Sequence, residues 1–538
     1  MVLLVLFLSQ LACTQGYISP LDLTATVMFA QTATPDIFAH ATLEPQPADP
    51  EPSATLPVLE ITPADVPPEP SNSQATPVET DTPMPTPRPT RTRDPKATRK
   101  PPVLYYTQAG DALPALAARF GVTVPEITSP DPIEQTGFLN PGQLLIIPDD
   151  LDGAGSKEAI LPDSEVIFSP SAVDFDVRDF VNKAGGYLST YREYLSNGWN
   201  SGAEVVMRVA TENSINPRVL LSVLEYQSHW VYGQPQNLAQ TDYPIGYINI
   251  NYKGLYKQLS WSIQQLSIGY YGWRAGTLTE VAFKDGQSLR LAPTLNAGSV
   301  AVEYLLSTLM TSPHWNDALY TPAGLPALHA KMFDNPWLRS AEIEPLFPTG
   351  LRQPKLELPF TVGHTWSLTG GPHAAWGPHG ALAAIDFAPS STQSGCVASA
   401  EWVTAAGPGL VVREGNGVVV VDMDGDGHEE TGWVMLYLHI SSDGRVPLGT
   451  FLNQDDPIGH PSCEGGVATG THVHVARKYN GEWMLADGPI PFTLSGFRAY
   501  AGKAEYLGRM VNGSKVAEAC TCGSSETLIT RPKLSSSQ

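Results

Sequence analysis

Residues 370–389 read GGPHAAWGPHGALAAIDFAP, residues 437–440 read YLHI, and residues 468–476 read ATGTHVHVA. In an extended strand, residues i and i+2 point to the same face. His472 and His474 therefore project together from one side of a sheet. His373 and Asp386 stand either side of a Gly-rich turn, and His439 sits in a strand-like apolar run. Neutral imidazoles with one carboxylate make a three-ligand metal site that keeps a fourth position open for water. That is the pattern of catalytic zinc, whereas structural zinc more often takes four ligands, commonly thiolates. No Cys adjoins these histidines. Because the chain holds 12 His, one H-x-H pair could arise by chance; the five positions together carry the reading.

In this order and context the five residues resemble the LytM/lysostaphin-type zinc endopeptidases, and most their beta-lytic or staphylolytic branch. There the first motif reads GGPH and the aspartate follows in an (L/F/I)DF context. Here GGPH ends at His373 and IDF holds Asp386, while the H-x-x-x-D spacing of the more familiar branch is absent. The resemblance covers about Leu358 to Phe497 and implies an all-β, antiparallel-sheet metallopeptidase domain over 353–511. It implies that His373, Asp386 and His474 bind one Zn2+ per chain. It also implies that His439 and His472 are non-ligand histidines that orient the water and stabilise the oxyanion. His379 is the rival first ligand; His364 and His460 read as surface or turn histidines. Related activators of other hydrolases have lost zinc ligands, and here none is missing.

A chain of 538 residues is too long for one core and predicts several domains. The net charge of −22 argues against a nucleic-acid partner. It does not recommend anionic wall polymers either, so attachment to a wall is expected through glycan. The 49 prolines cluster toward the N-terminus. Residues 1–13, MVLLVLFLSQLAC, read as an export segment whose Leu11-Ala12-Cys13 resembles the end of a lipobox. Cys13 is then the lipidation candidate and the only membrane link, with plain secretion as the alternative. Either route places the protein at the extracellular face of a bacterial envelope. Residues 14–103, rich in Pro and Thr and ending in PRPTRTRDPKATRKPP, read as an extended linker without a core.

Residues 104–149 resemble a LysM module, a small β-α-α-β fold that binds N-acetylglucosamine-containing glycans. Leu113, Leu116, Ala117 and Phe120 recur at helical spacing and Gly121 offers a left-handed cap. The resemblance points to Gly110, Asp111 and Ala112, and to Ile133–Gly137, as the glycan-facing loops. Residues 165–350 read as mostly α. Asn216-Pro217 predicts a cap and first turn, leading into the apolar RVLLSVLEYQSHWV. This part resembles, weakly, the lysozyme-like transglycosylases, with an unrelated helical domain as the alternative. That alignment puts Gln227 where the family has its catalytic Glu, and Gln cannot act as a general acid. Glu225 lies on a different helix face, while Tyr270, Tyr271 and Trp273 are candidates for stacking on sugar rings.

Asp422, Asp424 and Asp426 resemble the start of a Ca2+ loop, but Trp433 stands where its twelfth-position Glu belongs, so a solvated turn is the alternative. Of 5 Cys, setting Cys13 aside leaves Cys396, Cys463, Cys520 and Cys522, an even set suited to two disulfides in an exported protein. Three pairings are open, with Cys396–Cys463 favoured; residues 512–538 read as a tail. The combined expectation is a LysM-targeted zinc endopeptidase acting on peptidoglycan stem or cross-bridge peptides. Its rivals are a non-catalytic wall-binding scaffold or hydrolase activator, and an extracellular peptidase of Gly-rich proteins.

Overall fold

The computed structural model describes residues 100–391 and 393–533, all within one compact unit. The export segment with Cys13 and nearly all of the Pro/Thr-rich linker lie outside the described residues. Among the described residues no helix is long and apolar enough to cross a membrane.

The N-terminal module pairs strand β1 (Val103–Tyr106) antiparallel with β2 (Leu144–Ile147), and helix α1 (Leu113–Phe120) packs on the ribbon. Tyr105, Leu116, Phe120, Leu145 and Ile147 form its core, and Gly121 ends α1 at φ 68°. The expected second helix is not formed. A single 3-10 turn, Val124–Glu126, stands in its place. The following Pro130, Pro132 and Pro141 lack the N–H that a helix ladder needs, so the chain instead runs as bends.

The middle part is helical, with small hairpins at Arg192–Leu195/Gly198–Ser201 and Glu280–Ala282/Ser288–Arg290. Its main helices are α2 (Gly202–Asn213), α3 (Pro217–Ser228), α4 (Leu255–Ala275) and α5 (Ala297–Leu309). Asn216 caps α3 as its sequence predicts, its side chain accepting the Arg218 N–H at 3.0 Å.

The C-terminal part is a 9-stranded antiparallel sheet. Its strands are β3 (Thr365–His373), β4 (Ala384–Pro389), β5 (Gly409–Gly415), β6 (Val418–Asp422), β7 (Trp433–Leu438), β8 (Phe451–Leu452), β9 (Val473–Tyr479), β10 (Glu482–Trp483) and β11 (Leu528–Thr530). They lie in the order β8-β5-β6-β7-β9-β4-β3-β11, with β10 on β9. Asn416 and Gly417, at φ 45° and 80°, close the β5–β6 hairpin in the two-residue turn their sequence favours. Strands β6 and β7 read as nearly continuous apolar runs because the sheet is covered on both faces. Val419, Val421, Met435, Tyr437 and Val475 belong to the domain's own core. Val418, Val420, Val434, Leu436 and Ala476 belong to the core of the helical part. The helical domain is therefore joined to the sheet through a shared core.

Residues 512–533, the described part of the segment read as a tail, are more than a tail. Lys515–Glu518 pairs with Gly508–Asn512, and β11 pairs with β3 at the sheet's edge. Arg531 is buried, donating to Phe360 O at 2.6 Å and to Thr404 Oγ1 at 3.0 Å. Polar composition hides this in the sequence, because the segment contributes few apolar residues and its strands are completed by distant partners.

One buried cation ties the three parts together. Arg274 at the end of α4 pairs with Asp163 at 2.8 Å and with Glu482 of β10 at 3.0 Å, and donates to Ala109 O of the N-terminal module at 2.5 Å. Burial disfavours its charge, but Glu482, Tyr270 and Asp163 outweigh that and raise its pKa. Arg274→Ala strands two buried carboxylates and is expected to lower unfolding free energy by about 3–5 kcal/mol. A denaturant midpoint indistinguishable from wild type would contradict this.

Candidate metal centre

The sheet register assembles the site. His474 in β9 lies directly opposite Asp386 in β4, and on the other side opposite Leu438, next to His439. Asp386 alternates with Ile385 and Phe387, which face the inner core, so its carboxylate points the other way. Strand β3 carries register shifts between Leu368 and Gly370 and between Gly370 and His373, which bring His373 opposite Ala384.

Gly370 and Gly371 are there for space. A Cβ at Gly370 would lie 2.5 Å from Asp386 Oδ2, and one at Gly371 would lie 2.6 Å from Leu507 O. Gly370→Ala must displace the Asp386 carboxylate while leaving the fold, so metal affinity should fall by roughly 10–100-fold. Competition with a chelator reads this out; unchanged affinity would contradict the packing argument.

The ligand atoms of His373, Asp386 and His474, all buried, lie within 4.8 Å of one another. Backbone carbonyls decide the tautomers, since a carbonyl can only accept. His373 Nδ1–H donates to Gly371 O at 2.8 Å, and His474 Nε2–H donates to Ala375 O at 3.0 Å. That leaves His373 Nε2 and His474 Nδ1 facing each other at 3.0 Å, with Asp386 Oδ1 at 3.3 and 3.2 Å from them. Asp386 Oδ1 is buried and has no hydrogen-bond partner. Electron pairs thus converge on one point that calls for a cation. The electrostatics pull the same way: burial lowers the His373 pKa, but Asp386 outweighs it and raises it overall. Burial also works against the Asp386 charge, yet the neighbouring imidazoles hold its pKa well below the usual range. Two imidazoles and a carboxylate are a donor set that suits zinc.

The other two histidines are oriented in the same manner. His439 Nδ1–H donates to Glu464 O at 2.9 Å, and His472 Nδ1–H donates to Gly470 O at 2.8 Å. Each ring keeps Nε2 free, and the ring centroids are 4.4 Å apart. His472 Nε2 lies 3.9 Å from Asp386 Oδ1. Burial, then the His472 and His474 rings, push the His439 pKa down to about 3, so that ring is uncharged. His439 sits at φ 66°, a left-handed conformation that costs energy in a non-glycine residue and clusters at functional sites.

These residues open onto a cleft of about 1100 Å3. Its walls are largely small and uncharged, including Ala388, Ser391, Ser394, Ala398, Ala468 and Gly470. Among the described residues it holds no Lys or Arg, and nothing from the helical domain lines it. Tyr506 also lines it, its ring stacked on His373 at 4.1 Å, with its backbone at φ 67°. No motif in the sequence marks this tyrosine; it arrives through the loop before Gly508–Asn512.

His379, the rival ligand, is exposed, faces Glu505 at 3.6 Å and is not among the three converging residues. His364 meets Glu401 at 2.8 Å, and His460 Nδ1–H donates to Glu401 O at 2.8 Å. Cys396 is bonded to Cys463, and Cys520 to Cys522. In the acidic turn, Asp422 accepts the Asp424 and Gly427 N–H groups, and Asp426 accepts the His428 N–H and the Thr431 hydroxyl. Glu429 is buried in ion pairs with Arg413 at 2.8 Å and Lys478 at 2.9 Å. The carboxylates of Asp422, Asp424 and Asp426 come within 4.8 Å of one another, yet they accept the turn's own N–H and hydroxyl groups, and the calcium expectation gains no support.

Among the glycan candidates, the Asp111 carboxylate is buried against Arg119 at 2.6 Å and the Tyr105 hydroxyl at 2.7 Å. Gly110 packs against Arg274. Ala112, with Glu134–Gly137, lines a cleft of about 1150 Å3 shared with the C-terminal part. The aromatic residues expected to stack on sugars are core instead. The Tyr270 hydroxyl donates to Glu482, the Tyr271 hydroxyl accepts the Trp483 N–H, and the Trp273 Nε1–H donates to Leu295 O. Glu225 is committed as well, its carboxylate accepting the Val231 and Tyr232 N–H groups.

Residues 159–346 match the family model described as LasA, N-terminal domain. Protease LasA of Pseudomonas aeruginosa is 25% identical over 364 residues, covering 64% of this chain and 79% of its own. The beta-lytic metalloendopeptidase of Lysobacter enzymogenes is 26% identical over 161 residues, covering 30% of this chain and 84% of its own. Among solved structures, the M23 metalloprotease pseudoalterin aligns over 31% of this chain and 96% of its own, at 22% identity and a TM-score of 0.26. By sequence the chain is thus similar to protease LasA and to a beta-lytic metalloendopeptidase. The match of the helical part is to a LasA domain and lends no support to the lysozyme-like reading.

Proposed function

We propose that this protein is a zinc metalloendopeptidase that hydrolyses stem or cross-bridge peptides of peptidoglycan at the outer face of a bacterial envelope. The observation that carries the reading is the convergence of His373, Asp386 and His474 on one unprotonated point, beside two histidines whose Nδ1–H groups are fixed by carbonyls. Bound there, zinc supplies a polarised scissile carbonyl and a water of lowered pKa. An uncharged Nε2 of the His439–His472 pair takes the proton of the attacking water, and a protonated one donates to the developing oxyanion. Tyr506 walls the cleft over His373 and positions substrate. The small, uncharged walls suit peptides of small residues.

Two disulfides fit an oxidising compartment and so support export, by lipid-anchored Cys13 or by secretion. A LysM-type contact with glycan runs through Ala112 and Glu134–Gly137 rather than the Asp111 side chain. The same cleft accommodates Gly-rich protein segments, the second reading that its walls favour. Digesting purified peptidoglycan and a protein with Gly-Gly segments in parallel separates the two. Released wall peptides support the proposal; cleavage of the protein substrate alone transfers the function to the second reading.

A further inference from the structure

We propose that the Cys396–Cys463 disulfide positions His439 and His472, so that reducing it stops turnover while the metal ligands stay in place. This rests on the peptidase reading above.

His439 must be held in its left-handed conformation. Its carbonyl accepts the Ser462 N–H at 2.7 Å and the Ser462 hydroxyl at 3.0 Å, and its ring donates to Glu464 O at 2.9 Å. Ser462 O in turn accepts the His472 N–H at 3.3 Å. Cys463 sits between these two clamping residues. On the facing loop, Gly395 O accepts the Thr471 N–H at 3.1 Å, and the Val397 N–H donates to Thr471 Oγ1 at 2.9 Å. The Thr471 hydroxyl donates back to Val397 O at 2.5 Å. Cys396 sits between Gly395 and Val397, and Thr471 adjoins His472. One covalent bond therefore joins the two clamps that aim both non-ligand histidines.

The metal ligands depend on other groups. Their ring protons go to Gly371 and Ala375, and Asp386 and His474 are paired within the sheet ladder. The loop carrying Cys396 is mostly exposed Ser, Gly and Ala, with little apolar burial to hold it once the bond is cut. Cys396 is itself exposed, so a reductant can reach it. A phosphine breaks the S–S bond to give two thiols with protons from water, and the water oxygen leaves as phosphine oxide.

The test uses the zinc-loaded full chain with Cys520→Ala and Cys522→Ala, in which only this disulfide responds to tris(2-carboxyethyl)phosphine. Reduction should lower kcat on the order of 100-fold, the cost of an ångström-scale misplacement. KM should move by less than about threefold. Zinc content should not change, and diamide should restore activity. In the metal-free chain, reduction should speed amide exchange over residues 462–472 and leave 384–387 protected. If that double variant does not fold, Thr471→Val in the otherwise native chain should lower kcat with zinc retained. A reduced chain with both thiols alkylated and full kcat overturns the proposal, as does zinc leaving in step with activity. If the oxidised, zinc-loaded chain cleaves no substrate, the peptidase reading falls and takes this inference with it.

Discussion

His474→Ala is expected to leave a folded chain that binds no zinc and cleaves nothing. The substitution removes one of three converging donors and leaves the Ala375 carbonyl without its partner, at about 1 kcal/mol in stability. That is too little to unfold a domain whose sheet is buried on both faces. The metal loses far more. Changes one shell out from a ligand cost about 10–100-fold in affinity, and a ligand lost outright exceeds that. Metal analysis after dialysis, beside a thermal melt, checks both halves. Zinc bound at wild-type affinity would remove His474 from the site.

His472→Ala is expected to separate chemistry from binding. Its ring lies beside His439 and near Asp386 but makes no part of the converging triad. Zinc should stay at one per chain while kcat falls by about 10²–10⁴-fold, the usual contribution of a positioned acid or base. A variant that loses zinc together with activity would make His472 a ligand and redraw the site. A variant that keeps both would leave His439 as the sole proton carrier.

The site was legible because its signals are local or periodic. H-x-H puts two rings on one strand face whatever the rest of the chain does, and GGPH with IDF names the partners that the ladder then sets opposite. Gly370 is legible only afterwards, since what it makes room for is a carboxylate on the next strand. Tyr506 gave no signal, because it reaches His373 through long-range pairing of strands that look ordinary alone. The helical part shows the opposite failure. Tyr270, Tyr271 and Trp273 form an aromatic run that reads as a sugar platform, yet their polar atoms are spent on Glu482, Trp483 and Leu295. Composition cannot show that this helix shares a core with a sheet two hundred residues on. Residues 515–530 read as a tail for the same reason: their partners, Gly508–Asn512 and β3, decide their structure.

The most direct test of the central claim is the zinc stoichiometry of the oxidised full chain after dialysis against metal-free buffer, beside Asp386→Ala. The structure predicts one zinc per wild-type chain and none in the variant, because the unpartnered Asp386 oxygen completes the donor set. Equal zinc in both, or none in either, would contradict it.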